Sequence, residues 1–286
     1  MSRISDRTTV QRCSQGRGRA FFIPLILFTL CLCDPSAFLH AQCPQNINLT
    51  SWSEEGYPSH GTWTVQTGGA AVVQSQNGPP TYFVSPYELI NVRITGKITI
   101  GASAWDNDNI GFVFGYNAPI GVDSSMHDFW LFDWKKTQQN FQGYFASEGY
   151  HLSHVDGRIY YSFPEIHRYF WNHETNPPLF EPVDSLVGGG RGWRPGNTYT
   201  FSLTYTTLHL EIRINNNLIF KRDGCFSPGR FGFYNFSQED VTYADFEYTL
   251  ISDFAASETV ICPGGTVDFT AVNSSCTTVP TNITSW

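Results

Sequence analysis

From Gly61 to Leu250 the chain shows almost no helical periodicity and repeatedly alternates apolar with polar residues. NVRITGKITI (Asn91–Ile100) puts Val92, Ile94, Ile98 and Ile100 on one face, and LHLEIRIN (Leu208–Asn215) does the same with Leu208, Leu210, Ile212 and Ile214. A period of two is the mark of a strand with one buried face. GTWTVQ, GFVFGY, FWLFDW, NTYTFSLTY, RFGFYN and VTYADFEYTL are further strand candidates. Asn215–Asn217 joins LHLEIRI to LIFKR and predicts a hairpin. About a dozen strands separated by polar turns predict an all-β, two-sheet sandwich of jelly-roll type. Ser147 to Arg194 is less regular and rich in His, Pro and Gly. It is expected to form long loops on one face or edge, where binding surfaces tend to lie.

Composition narrows the class. Of the 286 residues only 15% are charged and 16% are aromatic. So much apolar surface excludes a disordered chain, and the scarcity of Leu, Ala, Glu and Lys excludes a coiled coil. At the N-terminus five arginines precede an apolar run, Ala20 to Leu32, which is too short to span a bilayer. With the small residue Ala41 they predict a secretion signal over residues 1–41, cut after Ala41. Its removal takes away five of 17 basic and two of 25 acidic residues, leaving a net charge of −11. An acidic exported chain is a poor polyanion binder and suits divalent cations better. Cys43, Cys225, Cys262 and Cys276 remain, an even count that predicts disulfides with three possible pairings. Fourteen residues separate Cys262 from Cys276, so a bridge there is expected, leaving Cys43 to pair with Cys225. No CxxC spacing supports a cysteine-based zinc or redox motif.

Four blocks then occur in order: WDNDNIGFVFGYN (Trp105–Asn117), FWLFDWKKTQQN (Phe129–Asn140), GRGWRPGNTYTFSLTY (Gly190–Tyr205) and PGRFGFYNFSQEDVTYADFEY (Pro228–Tyr248). Together they resemble the C-terminal, L-type-lectin-like domain of thrombospondins, from about Trp52 to Leu250. The resemblance implies a concanavalin-like sandwich, secretion, calcium binding and adhesion, and it does not imply catalysis. The acidic triplet of that family is Asp-Asn-Asp here, and no calcium-wire repeats precede it. After Leu250 the composition shifts. ISDFAASETVICPGGTVDFTAVNSSCTTVPTNITSW resembles the first strands of a bacterial PKD-like, immunoglobulin-type surface repeat. The expected organisation is a signal at 1–41, a lectin-like sandwich at 42–250 and a truncated immunoglobulin-like repeat at 251–286, as in a fragment of a longer multidomain surface protein.

Asp106, Asn107, Asp108 and Asn109 place four oxygen-bearing side chains in one turn before an apolar strand. Calcium takes six to eight oxygens, so this turn is the candidate metal site, although Asx-rich turns also form without metal. Asp240 and Asp245 are weaker candidate ligands, since the last strand of such sandwiches often lies beside the acidic turn, and Asp123 and Asp128 could serve a second site or be solvated loop acids. Tyr144, Tyr150, Tyr160, Tyr161, Tyr169, Phe170 and Trp171 offer rings for sugar stacking, against the competing expectation that they are core. Catalytic signals are missing: there is no Glu-x-Asp-x-Glu and no Gly-x-Ser-x-Gly, adjacent Glu54 and Glu55 point opposite ways in a strand, and so do His151 and His154. The expectation is therefore a secreted or cell-surface, calcium-binding, non-catalytic adhesion or matrix module. Its partners would be an extracellular glycan or a surface protein, not nucleic acid, with no membrane span in the mature chain. The alternatives are a carbohydrate-binding module of a glycan-utilisation system and, behind it, a glycoside hydrolase on the same fold.

Overall fold

The structure is a computed structural model that describes residues 44–56, 61–102, 106–117, 126–158, 160–251, 254–256 and 269–271. The chain divides into two units, residues 1–35 and 36–286, the first wholly outside the described residues. The signal at 1–41 and most of the tail after Ile251 also lie outside them.

In chain order the strands are β1 (Gln45–Asn46), β2 (Ser53–Gly56), β3 (Trp63–Val65), β4 (Ala71–Gln74), β5 (Thr81–Leu89), β6 (Val92–Ile100), β7 (Asn109–Tyr116), β8 (Met126–Lys135), β9 (Gln139–Phe141) and β10 (Tyr144–Ala146). They continue with β11 (Gly149–Arg158), β12 (Glu181–Val187), β13 (Thr198–Tyr205), β14 (His209–Ile214), β15 (Asn217–Asp223), β16 (Gly229–Phe236), β17 (Val241–Leu250), β18 (Phe254–Ala256) and β19 (Phe269–Ala271). A five-residue helix, α1 (Glu165–Tyr169), lies between β11 and β12. Two antiparallel sheets make an all-β sandwich. The eight-stranded back sheet runs β15-β14-β13-β6-β17-β4-β3, with β1 paired to β17; the seven-stranded front sheet runs β12-β11-β8-β7-β16-β5-β2. Among the described residues β18 and β19 pair with each other alone. Apart from these two strands, the segment expected to begin an immunoglobulin-like repeat lies outside the described residues.

The two sheets differ in how their strands are buried, and the sequence pattern follows. In the back sheet β6 alternates buried and exposed along its length, as a strand with one wet face must. Its inward residues Ile94, Ile98 and Ile100 meet Phe201, Leu203, Tyr243 and Phe246 in one core cluster with Phe112, Phe132, Phe231 and Phe233 of the front sheet. Phe112 lies 5.0 Å from Phe201 and Phe233 4.3 Å from Phe246, ring centre to ring centre. Gly96 is inward too: a Cβ there would meet the Phe246 ring at 2.4 Å and the Phe201 ring at 2.8 Å, so these two rings occupy the space of a missing side chain. The predicted hairpin forms with Asn215 and Asn216 as its two-residue loop, both at positive φ, the conformation a type I′ turn needs and asparagine tolerates.

β7, by contrast, is buried at every residue, because the front sheet is covered on both faces. Over its outer face lie residues 160–180, which contribute Tyr161, Ile166, Tyr169, Phe170, Trp171 and Phe180 to a second core cluster with Tyr82, Val113, Phe129, Leu131, Val155 and Tyr234. The Ser147–Arg194 segment is thus not one long loop. It contains β11 and β12, paired at the sheet edge, with irregular chain between them and again after Val187. The chain between them is an aromatic cover rather than an open binding loop, since burying its rings removes far more apolar surface from water than exposing them would.

Candidate functional site

The acidic turn forms at the end of the front sheet, and the structure closes it with a lysine. Antiparallel pairing of β7 with β8 sets Asn109 opposite Lys135. The Lys135 side chain, 1% exposed, lies back along the outer face into the turn. Its Nζ donates to Asn107 O at 2.9 Å, Asn107 Oδ1 at 3.1 Å, Asp108 Oδ1 at 2.9 Å and Gln139 Oε1 at 3.3 Å. The same ammonium lies 3.8 Å from the centre of the Trp171 ring, a cation–π contact supplied by the cover. Lys136, on the opposite face, donates to Asp106 O at 3.0 Å. The turn is held on its remaining sides as well. Asp108 N donates to Gln238 Oε1 at 3.2 Å, Trp193 Nε1 donates to Asp108 O at 3.0 Å, and Asn77 Nδ2 donates to Asp106 Oδ2. Burial pushes the Asp108 carboxyl up to about 6 although Lys135 pulls it down, and burial lowers Lys135 against the pull of Asp108.

These contacts place a protein cation beside the oxygens named for calcium at this turn. A cation does sit among the turn's oxygens, but it is the ammonium of Lys135. Asn107 and Asp108 direct their oxygens to it, and Asn109 turns under the cover, where its Nδ2 donates to Phe170 O at 3.0 Å. A divalent ion there would have to share the Asp108 carboxylate with that fixed positive charge, while Asn109 Oδ1 is buried without a hydrogen-bond partner among the described residues. Asp245 does not join the turn either. It pairs with Lys97 at 2.7 Å, both side chains about half exposed, on the outer face of the back sheet. Asp128 faces His154 at 3.0 Å, Asp240 packs over Gly101, and Asp123 is outside the described residues. Cys225 is disulfide-bonded; Cys43, Cys262 and Cys276 lie outside the described residues.

Beneath the cover the structure gathers a second cluster that the sequence reading passed over. Asp133 on β8 stands directly across from His151 on β11, both on the outer face. His173, just past α1, comes down on the pair from the cover. Its Nε2 lies 3.1 and 3.2 Å from the two Asp133 oxygens. The His151 and His173 rings stack at 3.8 Å with 13° between their planes, and His151 Nδ1 is 3.9 Å from Asp133 Oδ2. Asp133 is fully buried. Burial first, then the neighbouring His173, pushes His151 down to about 3, so its ring is neutral. His151 and His154 do face opposite ways, as their spacing requires, but no local pattern ties His173 to either.

Of the rings offered for sugar stacking, Tyr161, Tyr169, Phe170 and Trp171 are core, whereas Tyr160 is 45% exposed. Glu54 and Glu55 also diverge: Glu55 is buried and held bidentate by Arg230 at 2.6 and 3.2 Å. At the open end of the sandwich a groove of about 470 Å³ is lined by Tyr150, Arg191, Arg194, Asn215 and Asn217 among others.

A family model described as the thrombospondin C-terminal region matches residues 58–252. Human thrombospondin-2 is 26% identical over 199 residues, 65% of this chain and 16% of the human protein. Thrombospondin-3b of Danio rerio is 26% identical over 201 residues, 65% of this chain and 20% of its own length. The chain thus matches one fifth or less of these relatives. Among solved structures, a carbohydrate-binding module from Bacillus subtilis superposes with a TM-score of 0.43 at 10% identity, covering 70% of this chain and 95% of that one. A family 16 endo-glucanase from Bacteroides ovatus superposes with a TM-score of 0.38 at 11% identity, covering 70% and 94%. Neither likeness bears on ligand or reaction.

Proposed function

The chain belongs to the thrombospondin C-terminal region family, and on that premise we propose that it is a secreted or cell-surface adhesion or matrix module that binds a protein partner and carries out no reaction. The observation that carries this reading is the closed front face. Tyr161, Tyr169, Phe170 and Trp171, four of the rings offered for sugar stacking, are buried against the sheet by the chain itself, while Phe141, Phe145, Tyr160 and Phe163 stay exposed beside polar surface and edges. The shallow polar pocket on the back sheet lined by Arg93, Thr95, Lys97 and Asp245 among others offers charged groups of the kind found at the rim of a protein contact. The non-catalytic part rests on the carboxylates. Among the described residues the buried ones are Glu55, Asp108 and Asp133, and each already has a basic or imidazole partner. None is left as a free acid or base for glycoside hydrolysis.

The test is binding of the purified chain to immobilised extracellular matrix proteins and, in parallel, to a glycan array. Saturable binding to a matrix protein, with no sharp sugar preference, is the expected result. A defined glycan bound selectively, and lost in Tyr150→Ala, would instead favour the carbohydrate-binding reading, whose supporting observation is the groove beside Tyr150, Arg191 and Arg194. Turnover of a chromogenic glycoside would overturn the non-catalytic reading.

A further inference from the structure

We propose that Asp133, His151 and His173 bind one zinc ion, which ties the aromatic cover to the front sheet. Two imidazoles and one carboxylate converge from three separate parts of the chain, and one ligand atom from each lies within 4.8 Å of the others. A tetrahedral site with metal–ligand bonds of about 2.0–2.2 Å sets neighbouring ligand atoms roughly 3.3 Å apart. His173 Nε2 already stands 3.1 Å from Asp133 Oδ1, and His151 Nδ1 is 3.9 Å from Oδ2. The two imidazoles now stack at 3.8 Å with 13° between their planes, so the His151 ring has to tilt out of that stack for its in-plane Nδ1 lone pair to meet the same ion as His173 Nε2.

A second observation points to a ligand. His151 is 7% exposed, and its Nδ1 has no hydrogen-bond partner among the described residues while facing the carboxylate. An unpaired buried polar atom is costly, and so is a fully buried carboxylate whose nearest bases are imidazoles. A divalent ion relieves both at once: it takes the lone pair of His151 Nδ1 and neutralises Asp133. His173 would then carry its proton on Nδ1 and offer the Nε2 lone pair. The donor set selects the metal, since calcium and magnesium take oxygens, whereas two imidazoles with a carboxylate suit zinc. Three protein ligands leave one position for water. Because His173 belongs to the cover and the other two ligands to the sheet, the ion would act as a clamp between them.

The experiment uses the tag-free full chain, stripped with chelator and dialysed. Zinc is titrated in competition with a chromophoric chelator, and cobalt is substituted to read its visible absorption. The proposal expects one zinc per chain, cobalt bands of a four- or five-coordinate nitrogen–oxygen site, and no displacement by millimolar calcium. His151→Ala and His173→Ala should each weaken zinc by at least about tenfold, the loss typical even of an outer-shell partner, while His209→Ala, whose ring pairs with exposed Asp223, should bind as the wild type does. His173→Ala leaves both sheets' strands intact, so circular dichroism should show it folded. Absence of stoichiometric zinc, or wild-type affinity in both His151→Ala and His173→Ala, would overturn the site. Neither result touches the adhesion reading, which is tested by partner binding.

Discussion

At the residue scale the central finding is a lysine used as an internal cation. Burial opposes the charge on both Lys135 and Asp108, and their contact at 2.9 Å, with three further oxygens and a ring around the ammonium, offsets part of that penalty. Removing one partner strands the other. Lys135→Met is expected to destabilise the fold by about 3–5 kcal/mol in chemical denaturation, and adding Asp108→Asn should recover much of the loss. A double variant as unstable as the single would show that packing, not charge, is at stake. Because the ammonium fills the turn, the chain already stripped of zinc is expected to melt alike in millimolar calcium and in chelator. A saturable rise of several degrees, abolished by Asp106→Ala with Asp108→Ala, would restore a calcium ion to this turn. His127 sets a pH dependence of its own. It is buried between Phe129 and Tyr161 with neither ring nitrogen bonded among the described residues, and burial holds it near 4. The unfolded state therefore binds the extra proton first, so stability is lost as pH falls from about 6.5 towards 4, by up to about 3 kcal/mol. Asp108, raised to about 6, works in the opposite sense over part of that range. The comparison that isolates His127 is His127→Phe against wild type at pH 7 and pH 4.5: the variant should lose less on acidification.

Among the elements, the cover over the front sheet matters most. Residues 160–180 are fastened by Asn109 donating to the Phe170 carbonyl, by Trp171 on Lys135 and by His173 on Asp133, around a fully buried Phe170. Phe170→Ala removes the ring at the centre of that packing, a change that typically costs about 3–5 kcal/mol. Hydrogen exchange should show protection lost first across 160–180, with β7, β8 and β16 still protected, because the sandwich core lies on the other face. Uniform loss across both sheets would mean that the cover is not a separate unit. In the back sheet, Gly96→Ala should cost about 1–3 kcal/mol through overpacking against Phe246 and Phe201, read as a lower denaturation midpoint.

For the whole molecule, the match at 58–252 and the end of β17 at Leu250 set the same limit for the sandwich. Limited proteolysis is expected to trim the chain just beyond Ile251 and leave a resistant core. Early cuts within the front sheet would refute that division. Cys225 is disulfide-bonded, and we propose Cys43 as its partner, with Cys262 and Cys276 joined to each other. Non-reducing peptide mapping should recover a Cys43–Cys225 peptide, and a Cys43–Cys276 peptide would overturn the pairing.

What the sequence by itself determined was the strand content, the two-sheet architecture and the family blocks, because alternation, turn residues and apolar runs are local properties. NVRITGKITI announces a half-wet strand, and Asn215–Asn216 announces its turn, without reference to anything distant. GFVFGY and FWLFDW, apolar almost throughout, already carried the signal that one sheet is buried on both faces. The acidic turn was legible too, but not what fills it. Lys135 reaches Asp108 across 27 residues only because β7 and β8 pair in one register. His173 meets His151 and Asp133 only because the cover folds back over the front sheet. An oxygen cluster reads the same in sequence whether a metal or an ammonium sits in it. The choice between them depends on which side chain the tertiary fold brings within 3 Å.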